Sequence, residues 1–238
     1  MDIGRIYFKP NDKPTKAEII PLETHVGNVQ KLVEAWDHSL AYKLPAGCDL
    51  SLTRTQLIEA ARRHDEAKPA TFKVTFNGNK FGYSFAGHRF KVQCDDLYID
   101  ALIKMHHEFS VNGVTEWQAR IRRELGEVYA ANFPLDLYAL EMCDQVAAEV
   151  ECYAMEGYSD DRAFMELHSH KRDDGMIEIE PFPFSPSPLS LTVLYTEFDI
   201  PSELRGTESD KLNALTSALN AFKPDKQNME KKVTLCQP

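Results

Sequence analysis

The apolar positions of this chain change their spacing several times. Val26, Val29, Val33 and Trp36 recur at intervals of three and four, one face of a helix, and predict a helix from Thr24 to about Leu40 with Thr24 as its cap. Leu57, Ile58 and Ala61 continue the pattern behind Thr53, so a second helix ends near His64-Asp65, ahead of Pro69. Pro45-Ala46-Gly47 breaks the chain between them. From Phe72 the period falls to two: Phe72, Val74 and Phe76, then Asn77-Gly78, then Phe81, Tyr83 and Phe85, which predicts a hairpin. At the start, Ile3 to Phe8 reads as a short strand, followed by a polar turn around Asn11-Asp12 and an extended exit at Pro21.

Helical spacing then returns. A third helix spans Asp95 to Glu108, and a fourth starts near Thr115, where Thr115 and Gln118 have capping-box spacing. A fifth begins at Pro134, a good first-turn residue, and runs to about Glu156, with a short helix over Asp160 to Leu167. Four prolines between Pro181 and Pro188 separate Ile177-Glu178-Ile179-Glu180 from Leu189 to Phe198, which reads as a strand. Asp210 to Phe222 is a last helix, and the polar tail from Lys223 reads as frayed. The fold class this predicts is mostly α: a helical domain with a small hairpin over 1–170, then an acidic, mixed α+β appendage over 171–238.

With 238 residues, 43% hydrophobic and 27% charged, the chain can bury a sizeable core, which excludes disorder for most of it. No apolar run approaches the roughly 18 residues of a membrane span. Met1 to Pro10, carrying Asp2, Arg5 and Lys9, lacks the apolar stretch of a secretory leader. Five cysteines without a CxxC pair point to a reducing compartment, the cytoplasm by default.

A net charge of −10 argues against a polyanion partner until its distribution is considered. Residues 61–92 hold seven bases against Asp65 and Glu66, a balance of +5, whereas 141–210 hold 17 acids against four bases, a balance of −13. In the basic stretch Lys73, Lys80, Arg89 and Lys91 interleave with Phe72, Phe76, Phe81, Tyr83, Phe85 and Phe90. Such a mixture can guide and stack a single strand, although alternating aromatics on a hairpin also pack onto a core.

Histidine carries the chemistry. His25 lies early on the first helix, His64-Asp65 ends the second, His88 sits in a loop, His106-His107 closes the third, and Asp144 lies on the long fifth. Imidazole and carboxylate are ligands of borderline transition metals. Five imidazoles and two carboxylates exceed one tetrahedral site and suit two adjacent ions sharing a carboxylate. His38, a lone histidine outside this set, reads as a surface or hydrogen-bonded residue.

This ordered set resembles the HD superfamily over residues 22–156, and within it the HD nuclease of type I CRISPR systems. The doubled His106-His107 after a separate His88 carries the resemblance, with Arg63-His64-Asp65-Glu66-Ala67-Lys68. Ala67 stands where that family usually has Gly, and Ala148 where it often has Ser. The segment after 170 has no counterpart.

The resemblance implies an HD-superfamily helical domain and two divalent transition ions, such as manganese, nickel, cobalt or iron. Magnesium, which prefers oxygen ligands, fits less well. One ion would take His25, His64, Asp65 and Asp144. The other would take His88, His106 and His107, with Asp65 bridging and Lys68 beside the phosphate. The expected activity is hydrolysis of single-stranded DNA in CRISPR interference, with a helicase subunit and an RNA-guided complex as partners. The alternatives are an HD phosphohydrolase of nucleotides, and a non-catalytic docking subunit whose metal is structural.

Overall fold

A computed structural model describes residues 2–8, 16–77, 80–108, 110–156, 168–202, 204, 206–223 and 229–238. Strands β1 (Ile3–Phe8) and β2 (Lys16–Pro21) pair antiparallel, with Ile6 opposite Ile19. The register slips between Ile3 and Arg5, at Gly4. A Cβ there would lie 3.0 Å from the Pro21 carbonyl oxygen and the Leu22 Cα, so the bulge needs glycine. Helix α1 (Leu22–Ala35) leaves β2 without a break. Pro21 is its cap residue, and Thr24 is a buried first-turn residue rather than the predicted cap.

The remaining helices are α2 (His38–Ala41), α3 (Arg54–Arg63), α4 (Leu97–Met105), α5 (Val111–Leu125), α6 (Glu127–Glu156) and α7 (Glu208–Ala221). Strands β3 (Lys73–Asn77) and β4 (Lys80–Ser84) form the predicted hairpin. Four further strands are β5 (His168–Lys171), β6 (Ile177–Glu180), β7 (Leu189–Asp199) and β8 (Met229–Cys236). The short helix expected over Asp160 to Leu167 lies outside the described residues.

The mostly helical HD-type fold with an appendage is not what the chain forms. Its centre is a six-stranded mixed sheet in the order β1-β2-β7-β8-β6-β5. Strands from both sides of residue 170 share it: Ile19 of β2 pairs with Thr196 of β7. The tail read as frayed contains β8, which lies between β7 and β6 with Val233 and Leu235 buried. The proline-rich segment is packed rather than a linker. The Ser185 amide donates to the Ala35 carbonyl, the Asp37 amide to the Pro183 carbonyl, and Phe182 and Phe184 are buried.

Leu32 and Val33 of α1, Leu57 of α3, Leu102 of α4 and Leu140 and Val146 of α6 form one apolar core with Ile179, Leu191, Val193 and Leu235 of the sheet. A smaller core, on Ile3, Ile6, Ala17 and Ile19, gathers Phe198, Leu215 and Leu219. Phe72, Val74, Phe81, Tyr83 and Phe85 of the hairpin region pack against it, so those aromatics serve a core and not a stacking platform.

Two further expectations fail for local reasons. Helix α5 is capped by Ser110, whose hydroxyl accepts from the Gly113 amide, and not by Thr115. Helix α6 begins seven residues before Pro134. Proline removes the amide that would bond the Ala130 carbonyl. The Gln118 side chain supplies that donor instead, at 2.8 Å, and the helix continues. Among the described residues no helix is long and apolar enough to cross a membrane, and none of the five cysteines forms a disulfide.

Candidate metal centre

Five elements bring the candidate ligands together. His25 lies in the first turn of α1, and His64 and Asp65 stand where α3 stops. Gly87, at φ +74, makes the tight turn that presents His88 on a single 3-10 turn. His106 and His107 follow α4, and Asp144 lies midway along α6. His25, His64, Asp65, His88, His106 and Asp144 are buried, while His107 is exposed.

The imidazoles share one orientation. The Nδ1 atoms of His64, His88 and His106 lie 2.8, 2.8 and 2.6 Å from the carbonyl oxygens of Ala61, Phe85 and Ile103. A carbonyl only accepts, so each Nδ1 carries the proton and each Nε2 keeps a lone pair. His25 Nδ1 instead meets the Glu151 carboxylate at 3.0 and 3.1 Å. Carboxylate or carbonyl behind an imidazole is the usual support of a metal-ligating histidine.

The four Nε2 atoms converge on two aspartates. Asp65 Oδ2 is 3.3 Å from both His25 Nε2 and His64 Nε2, and Asp65 Oδ1 is 2.9 Å from His88 Nε2 and 3.9 Å from His106 Nε2. Asp144 Oδ1 lies 3.1 Å from His25 Nε2 and 3.9 Å from His64 Nε2. Yet all four Nε2 atoms, Asp65 Oδ1 and Asp144 Oδ1 are buried without a hydrogen-bond partner, and Asp65 Oδ2 has only the Lys68 ammonium. Two donors on one ion at about 2.0–2.1 Å stand roughly 3.0–3.4 Å apart, close to most of these separations.

The potential ligand atoms fall into three overlapping groups: His25, His64 and Asp144; His64, Asp65 and His106; and His88, His106 and His107. These buried groups could hold a metal ion. His107 joins through the third group, its ring 4.0 Å from that of His106.

Electrostatics keep both aspartates ionised. Burial opposes ionisation of Asp65, but His64 and Lys68 hold its carboxyl well below the ordinary range. Burial acts likewise on Asp144, and His25 and His64 overcome it. Burial and the neighbouring His64 and His107 press His106 well below its usual value, which keeps it neutral. Burial also opposes charge on His25, but Glu151, with Asp144 and Asp65, carries it up to about 10. A proton and a metal ion compete for the same Nε2, and both answer the same carboxylate charge.

Lys68, expected beside the phosphate, is buried with its ammonium ion-paired to Asp65 Oδ2 and 5.2 Å from the Phe85 ring centroid. Two participants were not anticipated. Glu151 supports His25, and Arg5 Nε binds Glu151 Oε2 at 2.9 Å from the bulged start of β1. Glu151 follows Asp144 by seven residues, hence on the same helical face, and that spacing was its only signal.

The sequence matches no family model, no curated protein and no solved structure.

Proposed function

We propose that this protein is a metal-dependent phosphodiesterase that hydrolyses single-stranded DNA with two divalent transition ions. One observation carries the reading: four imidazoles, each anchored at Nδ1, turn unpartnered Nε2 atoms onto Asp65 and Asp144. The approach of Asp65 Oδ2 to His25 and His64, and of Oδ1 to His88, supports Asp65 as a bridge. His25, His64, Asp65 and Asp144 would then hold one ion, and His88, His106 and His107 the other. Imidazole-rich donors favour manganese, nickel, cobalt or iron over magnesium.

Such ions lower the pKa of water and neutralise phosphate oxygens. The water oxygen forms the new P–O bond, one ester P–O bond breaks, and the water's proton ends on the departing oxygen. Lys68 keeps a positive charge beside Asp65. For a single strand, Phe90 offers an exposed ring two residues beyond His88, with the Arg89 guanidinium 4.7 Å from its centroid. Exposed Lys73 and Lys91, without ion-pair partners among the described residues, can follow a backbone. In CRISPR interference, a helicase subunit and an RNA-guided complex would supply the strand. Free thiols support a cytoplasmic setting.

The test incubates purified protein with circular single-stranded DNA and with free nucleotides, across manganese, nickel, cobalt, iron and magnesium, with a chelator control. Chelator-sensitive cutting of the circle is expected. Turnover of free nucleotides alone would make the protein a nucleotide phosphohydrolase. Tight metal binding that raises the melting temperature without any hydrolysis would make the metal structural.

A further inference from the structure

A cavity of about 280 Å³ opens between α5 and α6. Val111 and Val114 of α5 and Leu137 and Tyr138 of α6 supply its apolar walls, and Glu108 and Glu141 its charge. Glu108 directly follows His106-His107. Glu141 precedes Asp144 by three residues on α6, on the same face and about 4.5 Å along the axis. Two of its walls therefore continue the segments that carry His107 and Asp144. Val111 is 80% exposed, an apolar residue held in solvent at the lip.

The two carboxylates differ. Glu108 is engaged, accepting from the Ser110 amide at 3.0 Å. Glu141 is 8% exposed, and its Oε1 is buried with no hydrogen-bond partner. A buried acceptor in that state is costly unless a donor reaches it. The cavity thus combines flat apolar contact with one unmet acceptor. Its volume lies just below the range for small-molecule sites, about 300–1,000 Å³, which suits one ring system.

We propose that this cavity receives the nucleobase next to the scissile phosphate, and that Glu141 accepts a hydrogen bond from an exocyclic amino group of that base. The assignment rests on the phosphodiesterase reading above. Cytosine, adenine and guanine carry such a group. Thymine and uracil flank their single N–H with two carbonyl oxygens, which repel an ionised carboxylate. Burial, with Glu108 and Asp144 nearby, raises the Glu141 carboxyl to about 8, so the discrimination belongs to alkaline solution, where Glu141 only accepts. Glu141 therefore sets a preference among bases, while His25, His64, Asp65, His88, His106, His107 and Asp144 act on the phosphate common to all of them.

Single-turnover cleavage of dC, dA and dT tracts with manganese at about pH 8.5, where most Glu141 is ionised, tests this. The dC and dA tracts should be cut about tenfold faster than dT, the scale of one good base contact. In Glu141→Leu the ratio should fall towards one, with manganese content and melting temperature as in the wild type. Glu141→Gln keeps the shape and one acceptor, should give an intermediate ratio, and decides the matter if the Leu variant does not fold. Equal cutting of all tracts by the wild type, or an unchanged ratio in the variants, overturns the base assignment alone. Loss of all cleavage in both variants with metals retained also overturns it, because Glu141 would then act in the reaction. No cleavage of any tract by the metal-loaded wild type sinks the phosphodiesterase reading, and this assignment with it.

Discussion

Two buried histidine–aspartate groups lie on the same helix, and only one resembles a reaction centre. In the first, His38 Nδ1 meets the Tyr42 hydroxyl at 2.6 Å, His38 Nε2 lies 3.5 Å from Asp136 Oδ1, and the Tyr98 hydroxyl donates to Asp136 Oδ2 at 2.8 Å. No polar side-chain atom of His38 or Asp136 remains buried without a partner. The group closes on itself and braces α2 and α4 against α6. In the second, Asp144 and its histidines satisfy only their outer atoms and leave the inner ones facing one another. Burial, residue type and helix are shared. What differs is the coordinating capacity left over, and the proposed function rests on that capacity.

The comparison breaks most sharply at Asp65. Asp65→Ala should reduce hydrolysis to the chelated background and lower bound metal, because it faces four imidazoles through two oxygens. Elemental analysis beside a DNA-cleavage assay checks this, and wild-type cutting by a folded variant would sink the two-metal reading. Glu151→Gln should weaken metal affinity about 10–100-fold while leaving activity recoverable at high metal concentration, the mark of a support behind a ligand. A metal titration of activity reads it directly.

His38→Ala should do the opposite. It should cost about 1–3 kcal/mol of stability, by stranding Asp136 and Tyr42, and leave metal content unchanged. Urea unfolding with metal analysis distinguishes the outcomes, and loss of metal would show that the two groups are coupled. The smallest effect belongs to the surface. Lys73→Glu with Lys91→Glu should lower the salt slope of DNA binding by about two, one per lost phosphate contact, with metals retained. An unchanged slope would place the DNA path elsewhere.

The metal centre was more legible in the sequence than the fold around it. His25, His64-Asp65, His88 and His106-His107 lie at helix ends or in a loop, and histidine is scarce enough for its order along the chain to group them, with Asp144 midway along α6 completing the set. Glu151 is one acid among many on a 30-residue helix, and only its distance to His25 distinguishes it. Strand β8 escaped notice because Glu230, Lys231 and Lys232 precede its two buried apolar residues, Val233 and Leu235. Its hydrophobic share is small because β6 and β7 supply the rest of that core. The early start of α6 was hidden by Pro134, whose cost is met by Gln118, a residue on another helix that no local pattern could nominate.

The position of β8 reaches into how the molecule is made. β6 and β7 are consecutive in the chain yet not neighbours, because β8 runs parallel to one and antiparallel to the other between them. During synthesis these two strands emerge with a gap that only a later segment can fill. The Lys231 ammonium of that segment also binds the Ala154 carbonyl near the end of α6, the helix that carries Asp144 and Glu151. A ribosome-bound chain that has already delivered every proposed metal ligand therefore still lacks the strand that braces them. On the proposed reading, hydrolytic competence should wait until β8 has emerged and docked between β6 and β7.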